Sequence, residues 1–129
     1  TVGDVGSIIG STATTKLALG LLAPSFSSIK GHVSTIVASW SASIVMFFTY
    51  SALASMTYRS VLGGYIHLSL QILATNIMAV PLIVVIVHLI SIMTYKYGLD
   101  PDNFTVPIES SIADAVTTLC LLVALTLLP

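Results

Sequence analysis

Asp114 is the residue in this chain best placed to do chemistry. It interrupts a long apolar run near the C-terminal end, and hydroxyls bracket it at helical spacing. Ser110 and Ser111 precede it by four and three residues; Thr117 and Thr118 follow it by three and four. Residues three and four apart share a helix face, so all five lie on or beside one stripe. An ionisable side chain at the centre of a membrane helix costs about 2.5–3.5 kcal/mol on insertion scales and usually faces a bundle interior or a water-filled path. Oxygen-only surroundings suit a hard cation. Mg²⁺ keeps several of its waters and is held by one or two carboxylates, and hydroxyls can bond to those waters. Cys120, the lone cysteine, falls six residues on and points elsewhere. It reads as a small buried apolar residue.

One carboxylate is thin for selecting a divalent ion. Twofold symmetry supplies a second copy of Asp114. Two facing carboxylates repel unless they share a proton or a cation. A homodimer with the ion path at or near its axis is therefore expected. Glu109 is placed in the first turn of a helix starting at Pro107, toward a loop carrying Asp100 and Asp102. There it either draws cations to the mouth or complements the helix dipole. The ordinary alternative for Asp114 is an interhelical hydrogen bond that locks the bundle.

A second polar stripe lies near the start of the chain, in GDVGSIIGSTATT. Asp4, Ser7, Ser11 and Thr14/Thr15 recur along one helical face. Gly6 and Gly10 form GxxxG, which lets two helix backbones approach closely. Such a helix lines water or packs tightly, with its hydroxyls bonded one turn back. Asp4 near the helix start is either part of that wet face or a solvated cap. Lys16, toward the other end, is expected to reach the interface along its own stem.

These stripes need helices long enough to cross a bilayer, and the composition supplies them. The 129 residues are 56 % hydrophobic and only 7 % charged, with a mean hydropathy of +1.04. A soluble domain carries about 25 % charged residues, so the chain reads as an integral membrane protein. A net charge of −1 gives no basic footprint for nucleic acid. Four helical spans are expected: Val5 to Leu22, ended by Ala23-Pro24-Ser25; His32 to Tyr58; Tyr65 to Tyr95, after Gly63-Gly64 and with a kink at Pro81; and Pro107 to Leu128, with Pro107 in its first turn. Strands are not expected, because the runs lack period-two alternation. Residues 1–129 read as one all-α membrane domain. No charged n-region precedes an apolar core, so no signal peptide is read. The apolar sequence starts at once, as if something had been cut away, so the chain reads as an excised piece with upstream helices missing. Lys30 and Lys96 against Arg59 weakly favour cytoplasmic placement of the 23–31 and 96–106 loops.

The middle segments carry less. Ser34, Thr35, Ser39, Ser41 and Ser43 around Trp40 read as packing residues. Tyr50 and Tyr58 fit interfacial anchoring. Gln71, Thr75 and Asn76 read as interhelical hydrogen-bonding groups. His32, His67 and His88 are far apart in sequence and show no metal-ligand spacing. His32 and His67, near segment ends, need no special role.

The sequence is also similar to a known family. Asp100-Pro101-Asp102-Asn103, Pro107 and Ser110-Ser111-Ile112-Ala113-Asp114 resemble the last helix of the MgtE-type magnesium transporters and their solute-carrier relatives. Gly3-Asp4-Val5-Gly6-Ser7, Ser11-Thr12 and Leu17-Ala18-Leu19-Gly20 resemble the glycine-rich helix that opens the family's membrane domain. The likeness covers nearly the whole chain. It implies a homodimeric, all-helical Mg²⁺ channel or transporter with five helices per subunit, of which the first would be missing here. The helices matching the first and fourth segments would line the pore, with Asp114 as the ion-binding aspartate and the backbone near Ser110 adjacent. Asp4 stands where bacterial members usually have asparagine, and Glu109 where they have a small or apolar residue. Both departures add negative charge.

The leading expectation is thus a divalent-cation channel or carrier, with Mg²⁺ as the transported ion and the bilayer and a second copy as its partners. The alternatives are a proton- or sodium-coupled carrier of a small solute, whose only candidate helix break is Asn76 with Pro81, or a non-transporting assembly subunit. No nucleophile–base pair points to an enzyme.

Overall fold

A computed structural model of the chain describes residues 1–57 and 62–128. Four α-helices follow in order: α1 (Val2–Ala18), α2 (Val33–Thr57), α3 (Leu62–Lys96) and α4 (Pro101–Leu127). A seven-residue 3₁₀ segment, Phe26–His32, leads into α2. No strand occurs among the described residues. The end of the second expected segment at Tyr58, the anchoring role of that residue and the charge at Arg59 lie outside them.

Among the described residues, three stretches are long and apolar enough to cross a membrane: Phe26–Met56, Gly64–Lys96 and Asn103–Leu127. The chain is a multi-pass membrane protein. α1 differs, because it ends four residues before the expected Leu22. Gly20 takes a left-handed φ of +69°. This lets Leu21 N–H reach Lys16 O at 2.9 Å and Gly20 N–H reach Leu17 O at 3.1 Å, a pair of bonds that stops a helix. The break at Ala23-Pro24 therefore comes after the helix has already closed.

α4 departs in the other direction. It starts at Pro101 instead of Pro107. The backbone N–H groups of Asn103 and Phe104 both donate to Asp100 O, at 3.2 and 3.1 Å. Asp100 thus occupies the cap position, and Pro101 takes the first-turn place where a missing N–H costs nothing. Pro107 lies inside the helix. α3 includes Gly64 and continues through Pro81 without a break.

α1, α3 and α4 pack around one core. Val2, Val5 and Ile9 of α1 meet Ala79, Val80, Ile83, Val84 and Val87 of α3 and Ala113 and Cys120 of α4. Cys120 is buried there, as a small apolar residue should be. α2 flanks this trio. Much of its apolar surface, including Val37, Val45, Phe48 and Leu53, is exposed on the chain, as suits a surface solvated by lipid. Two polar side chains fasten α2 to α3. Trp40 Nε1–H donates to Asn76 Oδ1 at 2.7 Å, and Asn76 Nδ2–H donates to Ser43 Oγ at 2.7 Å.

Candidate functional site

α1 and α4 run antiparallel, and small residues set their register. A Cβ added at Gly3 would sit 3.8 Å from Ala113 Cβ; one at Gly10 would sit 3.4 Å from Thr105 Cγ2. The residues after Gly3 and Ala113, namely Asp4 and Asp114, therefore lie within about 3 Å of each other in depth, less than one helical turn. Both are exposed on the chain, Asp4 at 82 %. Ser11 and Thr15 of α1 and Ser110, Ser111 and Thr118 of α4 are exposed as well. Ser7 and Thr117 are partly covered.

A seam between the two helices leads away from the Asp4–Asp114 level. It opens into a cleft of about 340 Å³ lined by Ser11, Thr14, Thr15, Asp100, Thr105 and Val106. Asp100 accepts a 2.7 Å hydrogen bond from Asn103 Nδ2. The side chain of Asp102 lies outside the described ones.

The hydroxyls along this seam donate inward to their own helices. Ser11 donates to Ile8 O, Thr15 to Ser11 O and Thr14 to Gly10 O. On α4, Ser111 donates to Pro107 O at 3.1 Å, Thr117 to Ala113 O at 2.6 Å and Thr118 to Asp114 O at 2.8 Å. Each uses its proton on the backbone and leaves oxygen lone pairs facing outward. The surface so made is rich in acceptors.

Glu109 is not at a mouth. It lies in the third turn of α4 and is fully buried, because the helix begins six residues earlier than the spacing indicated. Its carboxyl group fills the notch between Gly6 and Gly10. A Cβ on Gly6 would fall 2.7 Å from Oε1, and one on Gly10 would fall 2.7 Å from Oε2. Neither carboxyl oxygen makes a well-formed hydrogen bond, though Ser7 of α1 is near enough to interact.

Lys16 reaches Gly31 O at 3.1 Å, tying α1 to the 3₁₀ segment. Two histidines far apart in sequence meet there. His32 is fully buried, and its ring centroid lies 5.7 Å from that of His88. Ser28 Oγ is 3.3 Å from His88 Nε2. Gln71 donates to Leu128 O at 2.6 Å, whereas Thr75 bonds back to Gln71 O in its own helix. Among the described residues no group of three or more His, Cys, Asp or Glu is arranged to hold a metal ion.

The model of the MgtE divalent cation transporters matches residues 1–124. The chain belongs to the MgtE family. Membership makes it a divalent cation transporter and places it in a transporter family, not an enzyme family. Compared with curated proteins and with solved structures, the chain has no significant match.

Proposed function

We propose that this MgtE protein conducts Mg²⁺ along the α1–α4 seam, closed into a pore by a second copy of the chain. The observation that carries the reading is the exposed position of Asp114 on a helix otherwise fit for lipid. A carboxylate facing acyl chains costs about 2.5–3.5 kcal/mol, so this face calls for water or a partner. A twofold partner brings a second Asp114, and Asp4 adds negative charge within a helical turn of that depth. A hydrated Mg²⁺ points water hydrogens outward. The oxygens of Ser111, Thr117 and Thr118, with Ser110 beside them, offer acceptors to such waters. Glu109, sealed beneath the seam, stands behind this path and not in it.

The test is Mg²⁺ flux into liposomes holding the full-length protein. Asp114→Asn is expected to lower flux by roughly tenfold or more, the scale of losing one well-placed charge contact, while the dimer persists in size-exclusion chromatography. Undiminished flux in a folded Asp114→Asn protein overturns the assignment.

A further inference from the structure

The glycine pair of α1 sits against a carboxyl group instead of a helix backbone. We propose that Glu109 is a positioning residue for transport. Its carboxyl, seated between Gly6 and Gly10, fixes the register of α1 against α4, and so holds Asp4 within a helical turn of Asp114 in depth. This rests on the path assigned above and adds a part that does not line it.

The seat is closed on every side. Gly6 and Gly10 are themselves buried, and Glu109 is fully so. Behind the glycines stands α3: an added Cβ would lie 3.0 Å from Ile83 Cγ2 at Gly6 and 2.9 Å from Val87 Cγ1 at Gly10. A methyl group at either position thus meets the carboxyl on one side and an aliphatic branch on the other. The carboxyl has no exposed space to retreat into. Because side chains in such a site move as a packed unit, an added methyl is relieved by sliding α1 along α4. That slide separates the levels of Asp4 and Asp114. A misplacement of about 1 Å in a positioning group is enough to cost up to a hundredfold in rate. Glycine is needed at both places for this approach and not for its backbone freedom, since both lie within a regular helix.

The register has a direct reporter. The Gly3 and Ala113 Cβ positions are 3.8 Å apart, the separation that a disulfide spans, about 3.8 Å. In the full-length protein with Cys120→Ala, the pair Gly3→Cys and Ala113→Cys should cross-link within one subunit on mild oxidation. Adding Gly10→Ala should cut the cross-linked fraction by at least about half and raise the half-saturating Mg²⁺ concentration in the cysteine-free protein by roughly tenfold. Glu109→Gln, of the same shape, should leave both readouts within about twofold of the parent. Glu109→Asp, one methylene shorter, should restore the cross-link when combined with Gly10→Ala. Normal cross-linking and normal half-saturation in Gly10→Ala overturn the proposal, as does a Glu109→Asp combination that restores neither. Asp114→Asn, assayed in parallel, separates the outcomes: it tests the path, and it should not alter the Gly3–Ala113 cross-link.

Discussion

Trp40 of α2 and Asn76 of α3 share a 2.7 Å hydrogen bond, and the same amide then donates to Ser43. Asn76 is fully buried, so its two partners replace the water it lost. These two bonds tie the outlying α2 to the central trio.

Breaking that link should loosen α2. Asn76→Leu leaves the half-buried Trp40 indole N–H without its acceptor, at a cost of about 1 kcal/mol. The expected result is a lower midpoint of thermal unfolding in detergent. Trp40→Phe should cost less, because Asn76 keeps Ser43.

The hydroxyl oxygens beside Asp114 are expected to act as acceptors. Thr118→Val preserves shape and removes the oxygen. If hydrated cations pass this face, Mg²⁺ flux falls roughly threefold to tenfold, since one lost hydrogen bond is worth about 0.5–1.5 kcal/mol. Thr126→Val, near the end of α4 and far from the seam, should leave flux unchanged in the same liposome assay.

A twofold pore places the Asp114 faces of two subunits near each other. With Cys120→Ala as background, Asp114→Cys should form an intersubunit disulfide that runs as a dimer on a non-reducing gel. Leu119→Cys should not. That residue is exposed, but it borders a crevice shared with Ile77, Pro81 and Leu82 of α3, on the opposite flank of α4. Equal cross-linking at both positions argues against a defined axis beside Asp114.

The end of α3 offers a stability test independent of transport. Gly98 has φ +63° and lets Leu99 N–H bond to Thr94 O at 3.0 Å. Gly98→Ala forces a side chain into the left-handed region and should cost about 1–2 kcal/mol. A lower unfolding midpoint with unchanged half-saturating Mg²⁺ is the expected outcome.

Much of this was legible in the residues themselves. Long apolar runs gave the helical class, and the hydroxyls around Asp114 share its helix at three- and four-residue spacing because periodicity is a local property. The end of α1 was missed because the Pro24 signal outweighed Gly20, whose left-handed turn acts first. The start of α4 was missed because Asp100-Pro101 looked like loop, although it is also a helix cap with a first-turn proline. That error moved Glu109 from an interior turn to a terminal one. His32 and His88 are 56 positions apart, and only folding the 3₁₀ segment against α3 brings their rings together. No spacing rule covers such a meeting.

The enclosure of α1 bears on how the protein is made. The apolar face it turns inward, Val2, Val5, Ile9, Ala13 and Leu17, is almost wholly enclosed by protein, largely by helices that leave the ribosome after it. It carries Asp4 and Lys16, and charged residues weaken the hold of such a segment on lipid alone. Stable lodging of α1 therefore waits on translation of its neighbours. A nascent chain halted before α4 should leave α1 open to a water-soluble thiol reagent at an introduced cysteine, and the finished chain should shield it.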